Sequence, residues 1–171
     1  MNLGGRRIAN EDLRDAVEAI GFAGAATFRA SGNVIFSAGG ADGASLQRRL
    51  EQGLGERLGY EVPVFIRSAA ELREISGFRP FGTGAPGAKL QVVLLGSEPA
   101  ASARREALAL AGEEDPLAFA GRELYWLPSR GVGGSALKWS LVERVLGPTT
   151  TRTMGTIEQI VARWFEPAGA D

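Results

Sequence analysis

The side chains able to do chemistry in this sequence are carboxylates, lysine, arginine, tyrosine and serine, because its 171 residues include no histidine and no cysteine. This composition excludes a serine–histidine–carboxylate triad, a cysteine–histidine pair, a disulfide framework and an ordinary zinc site. We therefore expect no metal and no cofactor. Catalysis would need strongly shifted pKa values, which a sequence does not show, so whether the protein is an enzyme stays open.

The segment YWLPSRGVGGSALK has the strongest chemical character: a strand pattern, a glycine-rich loop and the start of a helix capped by Ser135. Free backbone N–H groups and the helix dipole favour a phosphate or carboxylate at such a place. The candidate ligand-binding residues here are Gly133, Gly134, Ser135 and Lys138. The loop is not a Walker A motif, because Lys138 follows Gly134 by four residues. The alternative is a tight turn with a capping serine and a solvated lysine.

Two other glycine-containing loops carry polar residues that could face a ligand. NLGGRR leads toward a helix, and its arginine could bind a phosphate or carboxylate, while SGN lies between two strand-like runs. The candidates are Asn2, Gly4, Gly5, Arg6, Ser31 and Asn33. The alternative is that these residues serve turns with positive φ.

Charge and hydropathy limit the partners and the location. The net charge is −1 and the pI about 5.7, so no global positive field attracts nucleic acid. No apolar stretch approaches the roughly 18 residues of a membrane span, and the first residues lack the apolar core of a signal peptide. We expect a cytoplasmic protein without a membrane partner. The acidic run Glu113–Asp115 precedes a proline and reads as an exposed loop.

Periodicity predicts two successive sets of strands and helices. The first set is a helix from Asn10, a hairpin around SGN, a helix over 44–58 and the strand VPVFIR, which Pro63 places at a sheet edge. The second set is strand, helix, two strands, helix, strand and a final helix. A loop dense in glycine and proline, 78–88, separates them. We therefore predict domains at 1–79 and 80–171.

This order of elements predicts an α+β protein of two ferredoxin-like, split βαβ halves with mainly antiparallel sheets. In that arrangement the strand order is 4-1-3-2. The first half lacks its opening strand, which would be central. We expect either a distorted sheet there or a strand supplied by another chain in a homodimer.

Several segments resemble the bacterial family known as domain of unknown function 1697, namely MNLGGRRI, LRDAVEAIGF, SGNVIF, VPVFIRSAAEL and ALKWSLVERVLG. Members typically open with an apolar strand running into R-G-(I/M)-N-x-G-G, of which Asn2, Gly4 and Gly5 remain here. The resemblance implies that this sequence is shortened by about ten residues, enough for one strand of typical length. It also marks Arg152 as a recurring polar position, with Thr153 and Gly155 where members usually carry amides.

The family has no established activity, so the function is argued from the loops. We predict a small soluble protein that binds an anionic or phosphorylated small molecule between its halves, with Arg6, Lys138 and Arg152 as counter-charges. One alternative is a homodimeric interaction module without a ligand. Another is an RNA-binding module, against which stand the acidic pI and the lack of an RNP1-type pattern.

Overall fold

The structure is a computed structural model that describes residues 2–3, 6–82 and 88–166. The helices are α1 (Asn10–Ala19), α2 (Gly43–Leu58), α3 (Ala69–Gly77), α4 (Ala101–Leu108), α5 (Trp139–Leu146) and α6 (Met154–Trp164). The strands are β1 (Asn2–Leu3), β2 (Arg6–Arg7), β3 (Ala26–Phe28), β4 (Asn33–Ile35), β5 (Gln91–Leu95), β6 (Leu117–Ala120), β7 (Glu123–Trp126) and β8 (Thr149–Thr153). All described strand pairs are antiparallel, which confirms the α+β prediction.

The chain forms two compact units, residues 1–66 and residues 67–171. Helix α3 thus groups with the second unit, whereas the sequence analysis placed the domain boundary after residue 79 and so assigned α3 to the first half. That residues 1–79 and 80–171 form separate domains stays a prediction.

The first unit has a core made by one face of each of its helices. Helix α2 begins at the cap Asp42, whose carboxylate accepts a hydrogen bond from the Ser45 N–H at 3.0 Å, and ends at Gly59 in the left-handed conformation. Strands β3 and β4 form an antiparallel hairpin, as the SGN turn predicts. The buried residues that line this core include Leu13, Ala16, Val17, Phe22, Leu46, Leu50 and Leu54.

The predicted edge strand VPVFIR is not a strand in the structure, so that prediction is wrong. The backbone N–H of Val64 donates to the Glu51 carboxylate of α2 at 3.0 Å instead of to a neighbouring strand. A β-strand forms only when its backbone is hydrogen-bonded to a neighbouring strand. In the order 4-1-3-2, the neighbour of the fourth strand is the first strand alone. The first is the element that the sequence analysis could not find in this half.

The second unit contains a four-stranded sheet in the order β6-β7-β5-β8. Numbered within the unit, this is 2-3-1-4, the predicted order 4-1-3-2 taken from the other edge. Gln91 at the start of β5 lies opposite both Trp126 of β7 and Thr153 of β8. One end of the sheet is therefore formed where β5 begins and β7 and β8 finish.

The two faces of this sheet are covered by different helices. Val93 and Leu95 pack with Val142 of α5 in one apolar cluster. Since side chains alternate along a strand, Val92 and its partner Tyr125 lie on the opposite face. There Phe78, just after α3, packs on Tyr125 with ring centroids 4.8 Å apart, and α3 contacts α6. None of the described helices has the length and apolar character needed to cross a membrane.

Candidate functional site

A cavity of about 510 Å³ lies at the end of the sheet of the second unit where β5 begins and α6 starts. Leu90 precedes β5, and its carbonyl accepts the Met154 N–H at 2.8 Å, which joins the two elements at the cavity wall. Its apolar lining consists of Phe81, Ala88, Leu90, Leu127 and Met154, and its other lining residues are Gly82 and Arg79. The volume falls within the range of about 300 to 1,000 Å³ that is usual for ligand pockets.

Arg79 is the cationic residue of this lining, and neighbouring residues bind its guanidinium through Nη1 and Nη2. Nη1 donates to the carbonyls of Ser76 at 2.8 Å and Phe78 at 3.0 Å. Nη2 forms an ion pair with Glu158 of α6. Nε–H has no acceptor among the residues that the structure describes. A guanidinium so placed can still receive an acceptor along its Nε–Nη2 edge.

Tyr125 of β7 lies two residues before Leu127, which lines the cavity. Since side chains two positions apart point to the same face of a sheet, Tyr125 lies on the face of the cavity. Burial raises the pKa of its phenol to about 12; the charge of Glu123 adds to the shift, and the charges of Arg67 and Arg79 oppose it. The phenol is therefore neutral at physiological pH and keeps its donor hydrogen.

The glycine-rich loop is held by a residue that the sequence analysis placed in solvent. Asp115 is buried, and its carboxylate accepts hydrogen bonds from Trp126 Nε1 at 3.0 Å, Ser135 Oγ at 2.6 Å and the Ala136 N–H at 3.2 Å. Burial alone would raise the pKa of this carboxyl, but these hydrogen bonds outweigh it and hold the pKa below its usual range. The interpretation of Glu113–Asp115 as an exposed loop is therefore wrong at Asp115.

The helix after this loop begins later than predicted. Ser135 has an extended backbone, and α5 starts at Trp139 without a side-chain cap. The Ser135 hydroxyl donates to Asp115 and accepts the Leu137 N–H at 2.9 Å, so it organises the loop and caps no helix. Gly133, Gly134 and Lys138 are exposed. A carboxylate of the protein thus already occupies the Ser135 and Ala136 donors that the predicted anion site would use.

Arg152 lies on the edge strand β8, opposite Val92 and therefore on the sheet face away from Val93. Its Nη1 donates to Thr150 Oγ1 and to the Thr151 carbonyl, both at 2.8 Å. Burial lowers the pKa of this guanidinium. Trp126, the Asp115 partner, belongs to the opposite face. The structure therefore does not bring Arg152 to the glycine-rich loop.

The predicted residues of the first unit that the structure describes lie in or beside its two antiparallel strand pairs. Asn33 begins β4, and its Nδ2 donates to the Phe28 carbonyl at 3.0 Å and to Ser31 Oγ at 2.9 Å, so its side chain holds the turn that contains Ser31. Asn2 and Arg6 belong to the antiparallel pair β1–β2, and Gly4 and Gly5 lie outside the described residues. As binding residues, all of these stay predictions.

Sequence reasoning missed a buried charge network at the opposite end of the second unit's sheet. The Arg67 side chain is 2% exposed; Nε contacts Glu123 Oε1 at 2.5 Å, and Nη2 donates to the Leu95 and Arg122 carbonyls. Burial lowers the pKa of Arg67, and the charge of Glu123 opposes that effect. Arg122 in turn pairs with Glu71 of the capping box that starts α3, at 2.5 Å. Only the capping box has a local signature in the sequence.

No group of three or more carboxylates among the described residues is arranged to hold a metal ion. The lining residues that the structure describes include one cation, Arg79, and no carboxylate. What this site can do chemically is enclose an apolar group and pair with a negative one.

The comparisons with known proteins bear on the fold and the family. A conserved bacterial protein from Streptococcus pneumoniae has a similar structure, with a TM-score of 0.71 at 16% sequence identity, over 95% of this chain and 94% of that one. No curated protein matches the chain significantly in sequence. Residues 1–125 match the family described as "Protein of unknown function (DUF1697)". Since the match covers most of the chain and confirms the resemblance seen in its motifs, the chain belongs to the DUF1697 family of proteins of unknown function.

Proposed function

We propose that this protein binds a small organic molecule in the cavity of its second unit. The observation that carries the proposal is a concave space of about 510 Å³ with a mostly apolar lining and one guanidinium. Pockets for small ligands usually combine an apolar wall with a few placed polar groups, within roughly 300 to 1,000 Å³.

The position of the cavity supports the same proposal. Leu90 before β5, Leu127 after β7 and Met154 at the start of α6 lie next to the sheet, and the other lining residues belong to the loop that follows α3. Met154, which is buried at the start of α6, is joined to Leu90 by a backbone hydrogen bond. This bond fixes one side of the wall, and a fixed side lowers the cost of ordering the site on binding.

A thermal-shift panel of small aromatic and aliphatic compounds tests the proposal. A ligand present at 100 times its Kd should stabilise the protein by about 2.7 kcal/mol. Ala88→Phe should fill the cavity and abolish the shifts. Ala111→Phe, at an exposed position after α4, is the matched control and should keep them. A panel without any shift, or shifts that survive Ala88→Phe, would contradict the proposal.

The predicted anion site at the glycine loops can be tested in the same assay. We keep as a proposal that nucleotides or phosphates bind there, in a cytoplasmic protein, with Lys138 as a counter-charge. Nucleotides should then raise the melting temperature of the wild type but not of Lys138→Gln, and Ala88→Phe should have no influence. Nucleotide shifts that Lys138→Gln leaves intact would contradict a site at this loop.

A further inference from the structure

We propose that the ligand of the cavity is a monocarboxylate with an apolar body, whose acid group replaces Glu158 on the guanidinium of Arg79. This inference rests on the proposed function and specifies the class of ligand. It follows from the charge of the lining, from the donors that Arg79 has left, and from the weakness of the bond that must be broken.

The charge of the cavity matches one negative group. Arg79 supplies a single positive charge, and the rest of the lining is apolar apart from Gly82. A phosphate monoester carries a charge of about −1.5 to −2 at neutral pH and three strong acceptor oxygens, which is more charge than one guanidinium balances. A carboxylate carries one charge and can be paired fully by one arginine.

The donors of Arg79 define where that carboxylate would bind. Two backbone carbonyls occupy Nη1, so this end of the guanidinium is already used. Nε–H has no acceptor within the described part of the chain, and Nη2 is shared with Glu158. A carboxylate on the Nε–Nη2 edge forms two parallel hydrogen bonds, the preferred arginine–carboxylate geometry. Glu158 uses only one atom of that edge.

The bond to Glu158 is one that a ligand can displace. Both side chains are largely exposed, at 43% for Arg79 and 46% for Glu158, and an exposed ion pair stabilises a protein little. Glu158 can therefore turn into solvent, where water solvates its charge. A ligand carboxylate that takes the place of Glu158 forms two hydrogen bonds with Arg79 where Glu158 forms one. Its apolar body also contacts the cavity lining.

Isothermal titration calorimetry with a matched series tests the class of ligand: octanoate, octanol and octyl phosphate, with 2-naphthoate and 2-naphthol as the aromatic pair. We expect each carboxylate to bind at least tenfold more tightly than its alcohol, and octanoate to bind at least tenfold more tightly than octyl phosphate. Arg79→Gln should remove that preference. Glu158→Gln removes the charged competitor and should tighten carboxylate binding about two- to fivefold, the strength of an exposed ion pair, while it leaves the alcohols unchanged. Arg105→Gln, which removes one exposed charge on α4, should change none of these affinities.

The outcomes separate this inference from the proposed function. Alcohols that bind as tightly as carboxylates, with binding abolished by Ala88→Phe, would retain the cavity as a binding site and overturn the carboxylate. Tighter binding of octyl phosphate would overturn it in favour of a phosphorylated ligand. If Glu158→Gln weakened carboxylate binding or left it unchanged, the proposed replacement of Glu158 by the ligand on Arg79 would be overturned. Binding of none of the five probes would contradict both proposals.

Discussion

At the scale of single residues, Tyr125 shows how burial couples an ionisable group to stability. Its side chain is 1% exposed, and burial raises the pKa of the phenol to about 12. A tyrosine in the unfolded chain titrates near about 10. Between these values the folded protein keeps a proton that the unfolded chain has lost. The free energy of unfolding must therefore fall as the pH rises from about 10 to about 12.

Tyr125→Phe should remove this alkaline loss, because phenylalanine has no proton to release. By the linkage relation, the wild type should lose about 1 kcal/mol more than the variant between about pH 9 and about pH 11. Urea unfolding at the two pH values measures the difference. Tyr60→Phe, in the first unit, keeps Tyr125 and should show the wild-type loss. Equal pH dependence of the wild type and Tyr125→Phe would show that the phenol does not titrate in this way.

Asp115 shows why single residues of the site could not be found from the sequence. Its neighbours, two glutamates and a proline, are those of a solvated loop, and the sequence analysis interpreted it so. Its donors Trp126 and Ser135 lie 11 and 20 positions away along the chain. The burial of a carboxylate is decided by such distant donors, and a single sequence holds no signal for them. The cavity residues were missed for the same reason, because its described lining comes from four separate stretches of the chain: 79–82, 88–90, 127 and 154.

At the scale of elements, the packing of α1 on α2 depends on one of two glycines inside a helix. An alanine Cβ at Gly53 would lie 2.6 Å from Cγ1 of Ile20, whereas at Gly55 the nearest atom outside the helix's own backbone would be the Tyr60 carbonyl oxygen at 3.7 Å. The first distance is a clash with a stiff, β-branched side chain, and the second is ordinary contact. Alanine favours a helix over glycine by about 1 kcal/mol at either position.

These two glycines therefore predict opposite results for the same substitution. Gly55→Ala should stabilise the protein by up to about 1 kcal/mol, through helix propensity. Gly53→Ala should destabilise it by about 1 to 3 kcal/mol, because Ile20 must move out of its packed position. Chemical unfolding of both variants measures the difference. If the two substitutions had equal effects, the close packing of α1 on α2 would be contradicted.

The elements that the sequence predicts well are those specified by local signals. Leucines four apart, a cap and a terminal glycine specify α2, and the order of strands and helices in the second half specifies the sheet order of the second unit. VPVFIR has strand-forming residues as well, yet its backbone bonds a helix side chain. Strand-forming residues also need a neighbouring strand to pair with, and whether one is present depends on the other elements of that half. Ser135 likewise has the residue type of a cap, but a buried carboxylate holds its hydroxyl.

At the scale of the whole molecule, the buried pair Arg67–Glu123 ties the start of the second unit to its sheet. Glu123 begins β7, 56 positions after Arg67, and the Glu123 side chain is 11% exposed. A buried ion pair that loses one member leaves an uncompensated charge, which typically costs about 3 to 5 kcal/mol. The segment between Arg67 and residue 79 also contains α3, with the buried Ile75. These residues should therefore be required for a stable second unit.

Two fragments and one substitution test where the second domain begins. Residues 67–171 should unfold cooperatively in urea, whereas residues 80–171 should be several kcal/mol less stable, since they lack α3 and the partner of Glu123. Glu123→Gln should then change the free energy of unfolding of the two fragments in opposite directions. In 67–171 it leaves Arg67 buried without its counter-charge and destabilises; in 80–171 it removes an orphaned carboxylate and stabilises. If the two fragments are equally stable and Glu123→Gln has the same sign in both, the domain boundary lies after residue 79, as the glycine- and proline-rich loop predicts, and the Arg67–Glu123 pair is not required for folding.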